Sequence, residues 1–177
     1  MTQRQEFRTL QTFSDFEVRE YAPCVIAEVK VSAQYSTAAS SAFASLFKYI
    51  SKGNKTSEKI AMTAPVIAAQ RAESAEPEDW FVSFVMPSGS TFGRLPHPND
   101  PRVVLRDLDA ETCIASSFRG KATEELSEKK VKELRAAAAR ENIAVSSETR
   151  ICRFDPPFKP GFLQYNEIVI PMYLREQ

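Results

Sequence analysis

The sequence predicts an α+β fold with two helices and an antiparallel sheet, in which the order strand-strand-helix-strand-strand occurs twice. Three observations carry that expectation. Several short segments alternate apolar and polar residues, the period-two pattern of strands. Two longer segments place apolar residues every three or four positions, the helical period. Between the two sets lies a stretch, 87–101, with four prolines and two glycines, which reads as the seam. Neither half can bury its own sheet face with one helix, so the halves should pack into one body.

Residues 1–14 are polar and mixed and read as a loosely held lead-in. Segment 16–21 alternates and predicts a strand. Ala22-Pro23 turns the chain, and 25–31 predicts a second strand with Val25, Ala27, Val29 and Val31 facing inward. Segment 36–50 predicts a helix, with Ala39, Ala42, Phe43, Leu46 and Ile50 as its apolar stripe and Phe47 at the stripe's edge. Gly53 and Asn54 follow as terminators. Segment 59–67 then reads as a strand with Ile60, Met62, Ala64 and Val66 on one face. Pro65 cannot donate a ladder hydrogen bond, which assigns it to a sheet edge or a bulge. The acidic stretch 73–79 reads as an exposed loop, and 80–86 as a returning strand.

Beyond the seam, 102–108 and 112–118 predict strands. Segment 123–141 predicts a helix. Thr123 is its N-cap, Glu124 and Glu125 suit the positive end of the helix dipole, and Leu126, Val131, Leu134 and Ala138 form its apolar side. Segments 150–154 and 166–174 close the chain as strands. No residue-level repeat accompanies the repeat of element type.

Composition narrows the functional classes. The 177 residues suit one domain, and 43% apolar residues are enough for a core. Charge is balanced, 23 basic against 23 acidic residues, so the basic footprint of a nucleic-acid binder is missing. No apolar run reaches membrane-spanning length, and no apolar signal core follows Met1-Thr2-Gln3-Arg4; a cytoplasmic protein is expected. Cys24, Cys113 and Cys152 are far apart and form no Cys-x-x-Cys pair, which predicts reduced, buried thiols rather than a zinc site. The single histidine, His97, lies in Leu95-Pro96-His97-Pro98 with no nucleophile in view. It reads as an exposed loop residue, with iron ligation as the alternative. The five glycines build no phosphate-cradling loop, and no catalytic constellation emerges.

Several strings together resemble the SOUL haem-binding protein family. Lys59-Ile60-Ala61-Met62-Thr63-Ala64-Pro65-Val66 follows a helix ending Phe47-Lys48-Tyr49-Ile50. Phe16-Glu17-Val18-Arg19-Glu20-Tyr21 precedes it. Phe84-Val85-Met86-Pro87-Ser88, Leu95-Pro96-His97-Pro98, Asp155-Pro156-Pro157-Phe158-Lys159-Pro160 and Asn166-Glu167-Ile168-Val169-Ile170-Pro171 follow in order. The resemblance runs from 16 to 172. It implies one domain over 15–177: a distorted antiparallel barrel of about eight strands flanked by two helices, with pseudo-repeats near 15–87 and 102–174. It also implies kinship with the ligand-binding domains of bacterial multidrug-responsive regulators.

By the same resemblance the chain is a non-enzymatic carrier, buffer or sensor of haem or a related porphyrin, held as ligand rather than catalytic cofactor. The groove implied runs beside the first helix, with Ser40, Phe43, Phe47 and Lys48 on the helix and Lys159 across it. Phe43 and Phe47 stand where some members carry methionine, and one helical turn separates them, so both can touch one plate. Ser40 stands where some members carry arginine, which removes a cation. Glu20 occupies the position of a proposed iron-ligating histidine and is a poor replacement for imidazole. Each of these residues also has an ordinary reading: Phe43 as core, Lys48 and Lys159 as solvated lysines. Two other functions stay open. Glu167, inside the last strand, could meet a lipophilic cation; or the chain could be a protein-interaction module that docks through the proline-rich loop or the C-terminal segment.

Overall fold

The computed structural model describes residues 2–71, 76 and 78–173. Of the expected acidic loop 73–79, residues 73–75 and 77 lie outside the described residues, as does position 174, the last of the expected closing strand.

The elements in chain order are β1 (Gln3–Arg4), β2 (Phe7–Thr12), β3 (Glu17–Tyr21), β4 (Cys24–Ser32), α1 (Tyr35–Ile50), β5 (Thr63–Ala64), β6 (Val66–Gln70), β7 (Asp79–Val85), β8 (Val104–Leu108), β9 (Glu111–Arg119), α2 (Glu124–Arg140), β10 (Thr149–Arg153) and β11 (Tyr165–Pro171). Nine strands form one sheet in the order β2-β3-β9-β11-β10-β6-β7-β4-β8. All its pairings are antiparallel. The sheet curls into a half-barrel with both helices against it.

The expected repeat is visible in the strand order. β4, β7 and β6 from the first half lie side by side, and β9, β11 and β10 from the second half mirror them across the β6–β10 pairing. The first strand of each half is exchanged. β3 pairs with β9, and β8 pairs with β4. The halves are therefore joined at three places in one sheet, and each completes the other's edge.

Alternation along the strands gives the sheet two apolar faces. Val25, Ala27, Val29, Val82, Phe84, Ile114, Ile151, Ile168 and Ile170 face the helices. Tyr21, Ile26, Ile67, Val85, Cys113, Ala115, Cys152 and Val169 form a second cluster on the opposite face. α1 packs on β4 and β7, and α2 on β9 and β11. Thr123 caps α2 as expected, its Oγ1 accepting from the Leu126 N–H at 3.2 Å.

Three expectations are corrected. The lead-in is not loosely held: β1 pairs in parallel with β5, and β2 forms an edge strand on β3, although the side chains of both stay exposed. Polar alternation reads as loop, but backbone pairing needs no apolar side chain. The strand expected at 59–67 starts only at Thr63, breaks at Pro65, which lacks an N–H, and continues as β6 to Gln70. Pro65 thus opens a central strand rather than lying on a sheet edge. In α1 the buried face is Ala38, Ala42, Ser45, Leu46, Tyr49 and Ile50, turned away from the expected stripe so that Phe43 moves out of the core.

Candidate functional site

The outer flank of α1 carries Ser40, Phe43, Phe47 and Lys48, all exposed. Phe43 and Phe47 are 38% and 49% accessible. Their rings lie nearly parallel, 13° apart with centroids at 5.7 Å. Helical spacing of four residues stacks them one above the other. Phe43 is backed by the buried ring of Phe84 on β7, edge-on at 5.4 Å. The helix can expose these rings because the opposite face already holds it: each fully buried side chain there, such as Leu46, contributes about 1.5–3 kcal/mol. The Ser40 hydroxyl turns back to donate to Thr37 O at 3.0 Å and projects no charge. Lys48 stands in the last turn of the helix, where a cation complements the helix dipole.

Lys159 sits on the segment between β10 and β11. Its Nζ donates to Asp155 Oδ1 at 2.8 Å, while Asp155 Oδ2 accepts from the Tyr165 N–H at 2.7 Å. The Asp155 carboxyl is held below its ordinary value, first by Lys159 and then by that N–H. Among the described residues no hydrogen bond, ion pair or ring contact joins Lys159 to Phe43, Phe47 or Lys48. The structure brings together the two phenylalanines, with Ser40 and Lys48 exposed on the same helix, and ties Lys159 to Asp155 on the loop between β10 and β11. The second half reaches α1 at its first turn instead, where Tyr35 Oη bonds Ala122 O at 2.6 Å and Arg153 Nη2 at 2.9 Å.

Glu167 has a different setting. It is 4% accessible, on the face away from the helices. Arg19 clamps it with two bonds, Nη1 to Oε1 at 3.0 Å and Nη2 to Oε2 at 2.8 Å, and Tyr165 Oη donates to Oε2 at 2.8 Å. Arg19 also donates to Tyr21 Oη at 3.1 Å and to Glu17 Oε2 at 2.8 Å, with its guanidinium 4.0 Å from the Phe7 ring centroid. Burial opposes the charge on Arg19, but the bonds to Glu167 and the neighbouring groups outweigh it and raise its pKa. A cation seeking Glu167 would have to displace this clamp. Sequence reasoning missed Arg19, Tyr21 and Tyr165. The available signal was one arginine and one glutamate of opposite charge, each in a strand apolar enough to be buried.

The remaining candidates resolve simply. His97 is exposed, and its loop is tied to the end of α1 by Tyr49 Oη donating to Pro96 O at 2.8 Å and by Lys55 N–H donating to His97 O at 2.9 Å. Glu20 is paired with Arg8 at 2.8 Å. The three thiols are free, with Cys113 and Cys152 buried and Cys24 half-buried. Burial pushes all three thiols up, Cys113 to about 12. No cluster of three metal-ligating side chains occurs among the described residues. No helix there is long and apolar enough to cross a membrane.

The model of the SOUL heme-binding protein family matches residues 2–171, and the chain belongs to that family. Among solved structures it is similar to the C-terminal domain of EcmrR, with 11% identity, a TM-score of 0.69, and coverage of 94% of this chain and 98% of that one. It is also similar to a hydrolase encoded by lin2189 from Listeria innocua, with 12% identity, a TM-score of 0.61, and coverage of 90% and 92%. At such identities the likeness is one of fold. No curated protein matches the chain.

Proposed function

We propose that the chain binds haem or a related tetrapyrrole against the exposed flank of α1 and acts as a non-enzymatic carrier, buffer or sensor. The observation that supports this reading is the stacked pair Phe43–Phe47, held open to solvent on a helix anchored from behind. Two near-parallel rings, with Phe43 backed by Phe84, suit the flat apolar face of a porphyrin. Lys48 and Lys159 would meet its propionates. Well-buried aromatic contact contributes roughly 1.5–3 kcal/mol per side chain, against about 0–1 kcal/mol for an exposed ion pair. Ring contact therefore sets affinity in this reading, and the lysines set orientation. Glu20, already paired with Arg8, offers iron no imidazole. The free thiols suit a reducing compartment such as the cytosol.

Titration of haemin into the purified protein, followed at the Soret band, tests the proposal. A saturable one-to-one transition is expected, weakened about tenfold in Phe47→Ala as one aromatic contact is lost. His97→Ala should leave the band where it is; a shift would assign the iron ligand to His97. Absence of any saturable transition overturns the reading. Tight binding of tetraphenylphosphonium that is lost in Glu167→Gln would favour the lipophilic-cation alternative in its place.

A further inference from the structure

The segment that carries Lys159 presents apolar side chains that nothing in the fold uses. Phe158 is 87% and Phe162 76% accessible, and Leu163 beside them is also exposed. Rings so fully in water are unusual for a soluble surface, where large apolar groups in a cluster mark contact sites. Hydrogen bonds brace the loop beneath them. Lys159 N–H donates to Pro156 O at 3.1 Å, Leu163 N–H to Pro160 O at 2.9 Å, Gln164 N–H to Gly161 O at 3.1 Å, and Gln164 Nε2 to Lys159 O at 2.9 Å. Together with the Asp155 bonds, these turns satisfy much of the loop's own polarity, while the two rings stay exposed.

Cations surround the tip. Arg119 Nη1 donates to Leu163 O at 3.0 Å, so its guanidinium lies at the loop's base. Lys121 underlies Gly161 closely enough that a methyl added there would touch its Cβ at 3.4 Å. Lys159 lies between the two phenylalanines in sequence. The carboxylate inside the loop, Asp155, is committed to Lys159 and the Tyr165 N–H. Glu124 and Glu125 come next along the chain, but they open α2, where the helix dipole offsets them.

Projecting apolar knobs with internally satisfied backbone and a basic collar match a bilayer surface with anionic headgroups. The rings enter the headgroup–acyl boundary, the cations stay at phosphate level, and no complementary pocket is needed. We propose that Phe158, Phe162 and Leu163, ringed by Arg119, Lys121 and Lys159, form a docking site for an anionic lipid membrane. Lys159 is shared with the haem reading above, but the membrane site rests on Phe158, Phe162 and Leu163, which that reading does not use.

Co-sedimentation of the full chain with vesicles tests it, using phosphatidylcholine alone and an equal mixture with phosphatidylserine. Binding is expected to the mixed vesicles, weaker to phosphatidylcholine alone, and weaker as salt rises. The double variant Phe158→Ser/Phe162→Ser should lose about tenfold or more of vesicle affinity, and Lys121→Glu a smaller part. Both variants should melt with the wild type, since the side chains are exposed. Vesicle binding unchanged in the double variant, or absent in the wild type, overturns the proposal. Haemin titration of the same variant separates the two sites. Loss of haemin binding with vesicle binding intact would assign the rings to the ligand groove and overturn the membrane site. Self-association of the wild type that the double variant abolishes, with no vesicle binding, would give the patch to a second copy of the chain.

Discussion

The flank of α1 and the Arg19–Glu167 centre hold the two residue sets that the sequence offered as ligand sites, and their physical states are opposite. Phe43 and Phe47 are apolar and left in water; Glu167 is charged and taken out of it. An exposed ring has unspent contact energy, which a planar ligand can collect. A buried carboxylate that already accepts three hydrogen bonds has none left, because Arg19 and Tyr165 satisfy it. The contrast teaches that a charged residue in a barrel strand is a ligand site only if the protein has not supplied its partner.

Substitutions can sharpen or break this contrast. The largest effect is expected at the buried centre. Arg19→Ala should cost roughly 3–5 kcal/mol in denaturant unfolding, because it strands Glu167 without a counter-charge. The double variant Arg19→Met/Glu167→Met should recover most of that loss; failure to recover would mean the pair contributes more than mutual neutralisation. Next along α1, Leu46→Ala should cost about 2–5 kcal/mol, whereas Phe47→Ala, one residue on and half exposed, should cost under about 1 kcal/mol and register in the haemin titration instead. Equal stability losses at the two positions would refute the open flank.

A pH scan tests a second buried carboxylate, Glu28. Burial pushes its pKa up, but bonds from Arg71 and Arg106 outweigh that and hold it below its ordinary value of 4.5. The unfolded chain therefore binds the proton more readily. The stabilisation is fully present above pH 4.5 and is lost as pH falls through the folded-state value. Glu28→Gln should flatten the acid arm of the stability curve. The smallest effect belongs to Lys48→Gln, under about threefold in haemin affinity and fading with salt.

Most of the framework was legible because period is a strong signal. Both helices and the main strands fall within a few residues of their expected bounds. The Thr123 cap and the buried cysteines follow from local chemistry alone. What escaped was set by partners distant in sequence. β1 and β2 have no apolar pattern and exist because β5 and β3 offer edges. In α1 the buried face includes Tyr49, whose Oη bonds Pro96 O in the seam loop, a contact that helical period alone does not announce. The clamp on Glu167 needs Arg19, 148 positions away. The exposed pair on α1 was named from the resemblance, but the pairing of Lys159 with Asp155 is a matter of loop geometry that no local pattern announces.

The traded positions of β3 and β8 shape how the chain can be made. A ribosome releases β4 long before β8, so the rim of the first half stays unzipped until Leu108 has emerged. A nick in the loop at 87–101 would leave two fragments, each keeping the outermost rung that belongs to the other. Such pieces are natural complements: apart, each shows a bare sheet margin, and mixed, each supplies what its counterpart lacks.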